Sequence, residues 1–99
     1  MIVKEIRYSQ LFDIYAPLLT EKQREIFESY YSFDLSLSEI AEQNGVTRQS
    51  VADSLKKTKA ELDGFENSLS IAAKFADIRS LAESVGGEVG ERLMKILEK

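Results

Sequence analysis

Residues 36–59 read SLSEIAEQNGVTRQSVADSLKKTK, and the folding of this stretch decides the architecture. Ser36 followed three positions later by Glu39 is a capping box, in which the hydroxyl accepts an orphan amide of the first helical turn while the carboxylate reaches back to the cap. It opens a short helix carrying Leu37, Ile40 and Ala41. Asn44 and Gly45 end that helix, since glycine enters the left-handed region without a Cβ penalty. Thr47 is then a good N-cap for the next helix, so only Gly45, Val46 and their neighbours separate the two. Helices that cross closely need a small residue on the first, a glycine at the turn and apolar residues locking both to the body. Ala41 and Gly45 supply the first two, and Ile40, Val46 and Val51 are the expected buried set. This is the spacing of a helix-turn-helix, with the motif over 36–59.

Toward the N-terminus, Ile6, Leu11, Phe12, Ile14, Tyr15 and Leu18 have mostly helical spacing. Pro17 closes that helix near Tyr15, because a proline disfavours helical geometry in the residue before it. Thr20 with Gln23 forms a further capping box and starts a helix at Glu21. Its positions Ile26, Phe27, Tyr30, Tyr31 and Phe33 predict a broad aromatic core face, with the break at Asp34 and Leu35. Toward the C-terminus, Val51, Leu55, Thr58, Leu62, Phe65, Leu69, Ala72 and Ala76 alternate in steps of four and three, the pattern of a heptad seam. Gly64 inside it costs about 1 kcal/mol against alanine, and Asp63 and Asn67 are poor helix formers, so a kink or short break is expected near 63–67. Ile78, Leu81, Ala82 and Val85 precede Gly86 and Gly87, after which Val89, Leu93, Ile96 and Leu97 describe a short terminal helix. The class is all-α: a helix-turn-helix domain over 1–62, then a helical extension over 63–99 that serves self-association.

The 99 residues suffice for one small domain with an added arm. There is no cysteine and no histidine, which excludes disulfides, thiolate nucleophiles, imidazole bases and the usual zinc sites. No carboxylate or lysine constellation stands in for them, so no enzymatic activity, catalytic residue, metal or cofactor is expected. The start, MIVKEIRYSQLF, lacks the apolar run of a signal peptide, and no window approaches the roughly 20 apolar residues that span a bilayer. A cytoplasmic protein follows as the expectation.

The net charge is −4, which opposes approach to nucleic acid. Its distribution softens the objection. Residues 1–46 carry 4 basic and 8 acidic side chains, residues 47–59 carry 4 and 1, and residues 60–99 carry 5 and 8. The only basic excess lies on the second helix of the motif. With Val51 facing inward, Arg48, Gln49, Ala52 and Asp53 face outward at the start of that helix, and Lys56 and Lys57 follow about two turns on. Arginine bonds a guanine edge or a phosphate, glutamine bonds adenine, and a helix N-terminus favours phosphate. The candidate contact set is therefore Thr47, Arg48, Gln49, Ser50, Asp53, Lys56, Lys57 and Lys59, with Asp53 opposing close phosphate contact. The plain alternative is a solvated face on a helical hairpin. Leu62, Phe65, Leu69, Ala72 and Ala76 are the candidate dimerisation residues, because a stripe that long is unusual on a monomer and a symmetric dimer buries it. The alternative is packing back on the first two helices. Tyr8, Tyr15, Tyr30 and Tyr31 read as core with hydroxyl tips at the surface rather than as a stacking platform for single-stranded RNA. Glu21, Glu25 and Glu28 read as a solvated side rather than a metal site.

The stretch LLTEKQREIFESYYSFDLSLSEIAEQNGVTRQSVADSLKKTKAEL, residues 18–62, resembles the YlxM family, small bacterial proteins similar to sigma factor region 4. Arg48, Gln49, Val51 and Asp53 match that family's recognition-helix pattern. Asn44 and Ala52 stand where larger or aromatic residues are usual. The resemblance implies a helix-turn-helix with an added helical self-association subdomain and an accessory role in the signal recognition particle pathway. The partners it implies are DNA or signal recognition particle RNA, the particle's protein, and a second copy of the chain. Alternatives are a dimeric transcription regulator reading half-sites about 34 Å apart, and a module that binds the particle's GTPase through the seam.

Overall fold

The computed structural model describes residues 6–98, and these form six α-helices and one 3-10 turn, with no strand among them. Helix α1 spans Ile6–Tyr15 and stops where expected: Pro17 sits within the 3-10 turn Ala16–Leu18 that follows. Helix α2 spans Glu21–Tyr31 and opens on the full capping box, with the Gln23 amide N–H donating to Thr20 Oγ1 at 3.1 Å and Gln23 Oε1 accepting from the Thr20 N–H at 3.0 Å. Helix α3 spans Leu37–Asn44, α4 Arg48–Leu69, α5 Ile71–Val85 and α6 Gly87–Leu97. The chain divides into two compact units, one ending at Ser68 and the other beginning at Leu69.

The core of the first unit is built from Leu11, Phe12, Tyr15, Leu19, Ile26, Phe27, Ile40, Ala41, Val51, Leu55 and Leu62, with Thr58 the one buried polar residue among the described residues. Aromatic stacking orders part of it. Phe12 and Phe27 lie 4.4 Å apart at 11°, and Phe27 and Tyr31 lie 4.3 Å apart at 17°, so a parallel column of three rings joins α1 to α2. Phe33 does not join them. Helix α2 ends at Tyr31 and the chain leaves through Asp34, whose φ of 57° lies in the left-handed region that aspartate tolerates. The helical period therefore no longer places Phe33, and it is 67% exposed.

The expected kink near 63–67 is absent. Helix α4 is continuous through Asp63, Gly64 and Asn67 and breaks instead at Ser70, which takes φ 54°. Tertiary contacts override the poor local propensity: Leu62 is fully buried, and Phe65 lies 5.7 Å from the Tyr15 ring at 44°. The heptad seam is accordingly interrupted. Its first half, Val51, Leu55, Thr58 and Leu62, serves the chain's own core, while Leu69 and Ala76 are exposed and Ala72 is half-buried. Leu62 thus has no surface to offer a second copy.

In the second unit α5 and α6 pack against each other around the Gly86 and Gly87 turn. Their approach is close enough that a Cβ at Gly90 would lie 2.5 Å from the Ala82 carbonyl oxygen. Ala82 is buried there, whereas Ile78, Leu81, Val85, Val89 and Ile96 are exposed.

Gly64 occupies an ordinary helical position with open space where its side chain would be. Gly64→Ala is expected to stabilise the protein by about 0.5–1 kcal/mol, raising Tm by about 3–6 °C. Thermal unfolding followed by circular dichroism checks this; an unchanged or lower Tm would show that Gly64 relieves strain in the helix.

Candidate nucleic-acid interface

The geometry between α3 and α4 follows from one turn. Gly45 adopts φ 65°, ψ 33°, its N–H donates to Glu42 O at 3.3 Å, and the Val46 N–H donates to Ala41 O at 3.0 Å. This pair of bonds is a Schellman motif, which satisfies the last carbonyls of α3 and reverses the chain within two residues. Capping bonds frame it on both sides. Ser36 Oγ accepts from the Glu39 N–H at 3.1 Å and Glu39 Oε1 accepts from the Ser36 N–H at 3.0 Å, while Thr47 Oγ1 accepts from the Ser50 N–H at 3.0 Å. Backbone and hydroxyl bonds from Ser36 hold the Glu39 carboxyl below its ordinary range, burial opposing only weakly.

Ile40, Ala41 and Val51 are buried as the spacing predicts, so α3 and α4 are locked to the body by the residues that cross. Val46 is not: it is 41% exposed. The Schellman bonds fix its backbone on the outside of the turn, and Asn44 does the inward work instead. Asn44 Nδ2 donates to Ile40 O at 2.8 Å, and its Oδ1 accepts from Lys22 Nζ at 2.6 Å, linking the end of α3 to α2.

Thr47, Arg48, Gln49, Ser50, Asp53, Lys56 and Lys57 are all exposed, and Lys59 is half-buried. Arg48, Lys56 and Lys57 make no hydrogen bond or ion pair with any described residue. Gln49 is engaged, its Nε2 donating to Asp53 Oδ1 at 2.9 Å one turn on. Lys59 lies apart from the other cations, with Nζ 5.3 Å from the centre of the Tyr8 ring. Seven of the eight candidate contact residues are therefore exposed along the cap and about the first three turns of α4, with Gln49 and Asp53 a bonded pair and Thr47 Oγ1 taken by the cap, while the Lys59 ammonium lies over the Tyr8 ring of α1.

The far half of α4 holds this reading end in place, and sequence reasoning missed how. Asp63 accepts from Tyr8 Oη at 2.8 Å and from Arg7 at 3.0 Å, Glu66 accepts from Tyr15 Oη at 2.6 Å, and Glu61 accepts from Gln23 Nε2 at 2.8 Å. Tyr8 and Tyr15 were separable from Tyr30 and Tyr31 only by these carboxylates, which lie more than 50 positions away in sequence. Partial burial works against ionisation of Asp63, but the bonds from Tyr8 and Arg7 and the charges of Arg7 and Lys59 outweigh it and hold the carboxyl below its ordinary value.

An all-α chain whose α3 and α4 cross over a glycine Schellman turn, with the opening of α4 solvent-facing, is a helix-turn-helix protein. The sequence model of the UPF0122 family, YlxM / p13-like helix-turn-helix proteins, matches residues 2–97, and the chain belongs to that family. Among its relatives are UPF0122 protein BH2485 of Halalkalibacterium halodurans, 45% identical over 99% of this chain and 94% of the relative. UPF0122 protein ABC2295 of Shouchella clausii is 47% identical over 82% of this chain and 74% of its own length. A UPF0122 protein of Bacillus thuringiensis is 39% identical over 99% and 94%.

Because the folded-state pKa of Asp63 is depressed, its contribution to stability is present above the ordinary carboxyl value and is lost as pH falls through the depressed one. Tyr8→Phe removes a donor to the ionised form, so the Asp63 pKa is expected to rise and the acid-unfolding midpoint to move to higher pH. Carboxyl ¹³C titration by NMR, read beside acid unfolding, checks both; an Asp63 titration curve indifferent to Tyr8→Phe would remove this anchor from the account.

Proposed function

We propose that this protein is a nucleic-acid-binding regulator that docks through the opening of α4 and acts beside the signal recognition particle. The observation that carries the reading is the exposed, unpaired cluster Arg48, Lys56 and Lys57 on a helix locked from behind by Val51 and Leu55. A recognition helix must be rigid on its buried side and open on the other, and its cations must be free of internal partners to displace counterions from phosphates. Gln49 and Arg48 stand at the base-reading end, Lys56 and Lys57 at the phosphate-positioning end. The choice of the signal recognition particle as setting rests on the resemblance of residues 18–62 alone, and of its components the RNA suits this face best because its charge complements the cations.

Binding of duplex DNA and of signal recognition particle RNA is measured by fluorescence anisotropy across a salt series. The expected curve falls with salt, with a log–log slope of about −1.5 to −2 for the two phosphate-facing lysines. Arg48→Glu is expected to weaken binding about 10- to 100-fold, while Lys56→Glu flattens the slope by about 1 to 2. Failure of both nucleic acids to bind at low salt, or indifference to Arg48→Glu, overturns the reading.

A second reading concerns the second unit, where Ile78, Leu81 and Val85 of α5 and Val89 and Ile96 of α6 are all exposed, many large apolar side chains for a pair of helices. Surfaces of this kind mark association sites, and self-association through the α5 face of Ile78, Leu81 and Val85, which the helical period sets on the side away from Ala72 and Ala76, gives a dimer suited to two-fold nucleic-acid sites. The proposed arrangement assigns binding to the unit that ends at Ser68 and association to the unit that begins at Leu69, because Asp63, Phe65 and Glu66 are tied to α1 and the boundary expected at 62/63 therefore moves. Sedimentation of wild type against Leu81→Asp tests it: the expected result is a concentration-dependent dimer that becomes a monomer in the variant, and a wild type that stays monomeric at high micromolar concentration rejects it.

A further inference from the structure

Beside the contact face of α4 lies a hollow to which the preceding assignments give no role. It has a volume of about 290 Å³ and is lined by Tyr30 and Tyr31 of α2, Leu37 of α3, and Ala52, Lys56 and Lys59 of α4. The tyrosine set considered from sequence as a single group separates here. Tyr8 and Tyr15 give their hydroxyls to Asp63 and Glu66, and Tyr30 and Tyr31 line the hollow half-buried, their ring centres 5.1 Å apart and edge-on at 79°. Tyr31 also ends the parallel ring column that begins at Phe12, so its position is set by the core rather than by solvent. Ala52 carries no side chain beyond Cβ, which leaves the space open. Lys56 contributes a free ammonium to both this hollow and the contact face of α4.

We propose that this hollow receives one unpaired nucleotide of a nucleic acid docked on α4, its base against Tyr30 and Tyr31 and its phosphate on Lys56. A rigid aromatic pair next to a cation is the arrangement that holds single-stranded bases, since every base offers a π-face and every nucleotide a phosphate. The volume sits at the low end for small-ligand sites, about 300 Å³, which suits a single planar ring system. Sharing of Lys56 makes the site continuous with the duplex-contacting face, so a helix carrying a bulged nucleotide is favoured over a fully paired one. The inference rests on the reading of α4 as a nucleic-acid contact and adds to it a preference for an unpaired base.

The test compares an RNA hairpin bearing one bulged adenosine with its fully paired counterpart, using wild type, Tyr30→Leu and Ala52→Leu, with circular dichroism confirming that each variant folds. Ala52→Leu fills the hollow without removing a polar group, and Tyr30→Leu removes the stacking surface. Wild type is expected to prefer the bulged hairpin about 5- to 100-fold, the range for one base–aromatic stack, each folded variant to lose that preference, and Tyr30→Leu, whose residue lies on α2 and outside the contact set, to bind the paired hairpin as before. NMR titration of the wild type with adenosine monophosphate is expected to shift the Tyr30 and Tyr31 ring resonances. Equal binding of the two hairpins by wild type, or a preference that survives in a folded variant, overturns the hollow while leaving the contact face of α4 standing. Ring shifts with the mononucleotide in a protein that binds neither hairpin overturn the contact face and retain the hollow as a nucleotide site. Absence of both responses overturns the two together.

Discussion

Everything that α4 presents depends on the two hydrogen bonds by which the Gly45 and Val46 amides return to the Glu42 and Ala41 carbonyls. A left-handed φ at residue 45 is the condition for both, and in an L-residue with a Cβ that conformation costs about 1 kcal/mol or more. Because the turn is this short, α3 cannot drift from α4. Ile40 and Val51 must then be buried together, and the polar positions that flank Val51 are turned outward by the helical period alone. Exposure of Arg48 and Gln49 is thus a consequence of the backbone at residue 45.

A tight turn fixes only the local angle, and the long lever of α4 has to be held elsewhere. Glu61, Asp63 and Glu66 do this by accepting bonds from Gln23, Tyr8, Arg7 and Tyr15, on both helices that precede the motif. These ties explain why a segment with glycine, aspartate and asparagine stays helical while Ser70, which has no such support in its local sequence, marks the break. Leu62, between two of these carboxylates in sequence, is fully buried, so the anchoring of this stretch is partly apolar and partly polar.

The elements whose causes are local were legible from sequence. Thr20 with Gln23, Ser36 with Glu39, Thr47, Pro17 and Gly45 each act within four residues, and the structure places a boundary at every one of them. Periodicity was a weaker guide because it names a face without naming what covers it. Leu62 and Leu69 belong to the same seven-residue pattern, yet one is sealed in the core and the other is exposed. Val46 and Phe33 were misplaced for a related reason: both lie just beyond a helix end, where hydrophobicity no longer implies an inward direction. The division of the four tyrosines between carboxylate anchors and the rim of a hollow depended on pairings across more than half the chain, and no spacing in the sequence encodes it.

The unequal treatment of charges along α4 has an effect on how any polyanion meets this molecule. Its carboxylates at 61, 63 and 66 accept bonds from donors of α1 and α2, whereas Arg48, Lys56 and Lys57 make no ion pair with any described residue and have Asp53 as the one carboxylate within residues 47–59. The net charge of −4 then works as an orientation filter. Encounters on the acidic remainder of the surface are repelled, and those aligned with one edge are drawn in, so long-range electrostatics steers the angle of approach before any contact forms. On the proposed reading of α4, excess positive charge would strengthen collisions in every direction, whereas a modest net deficit with a local run of cations favours approach to that run.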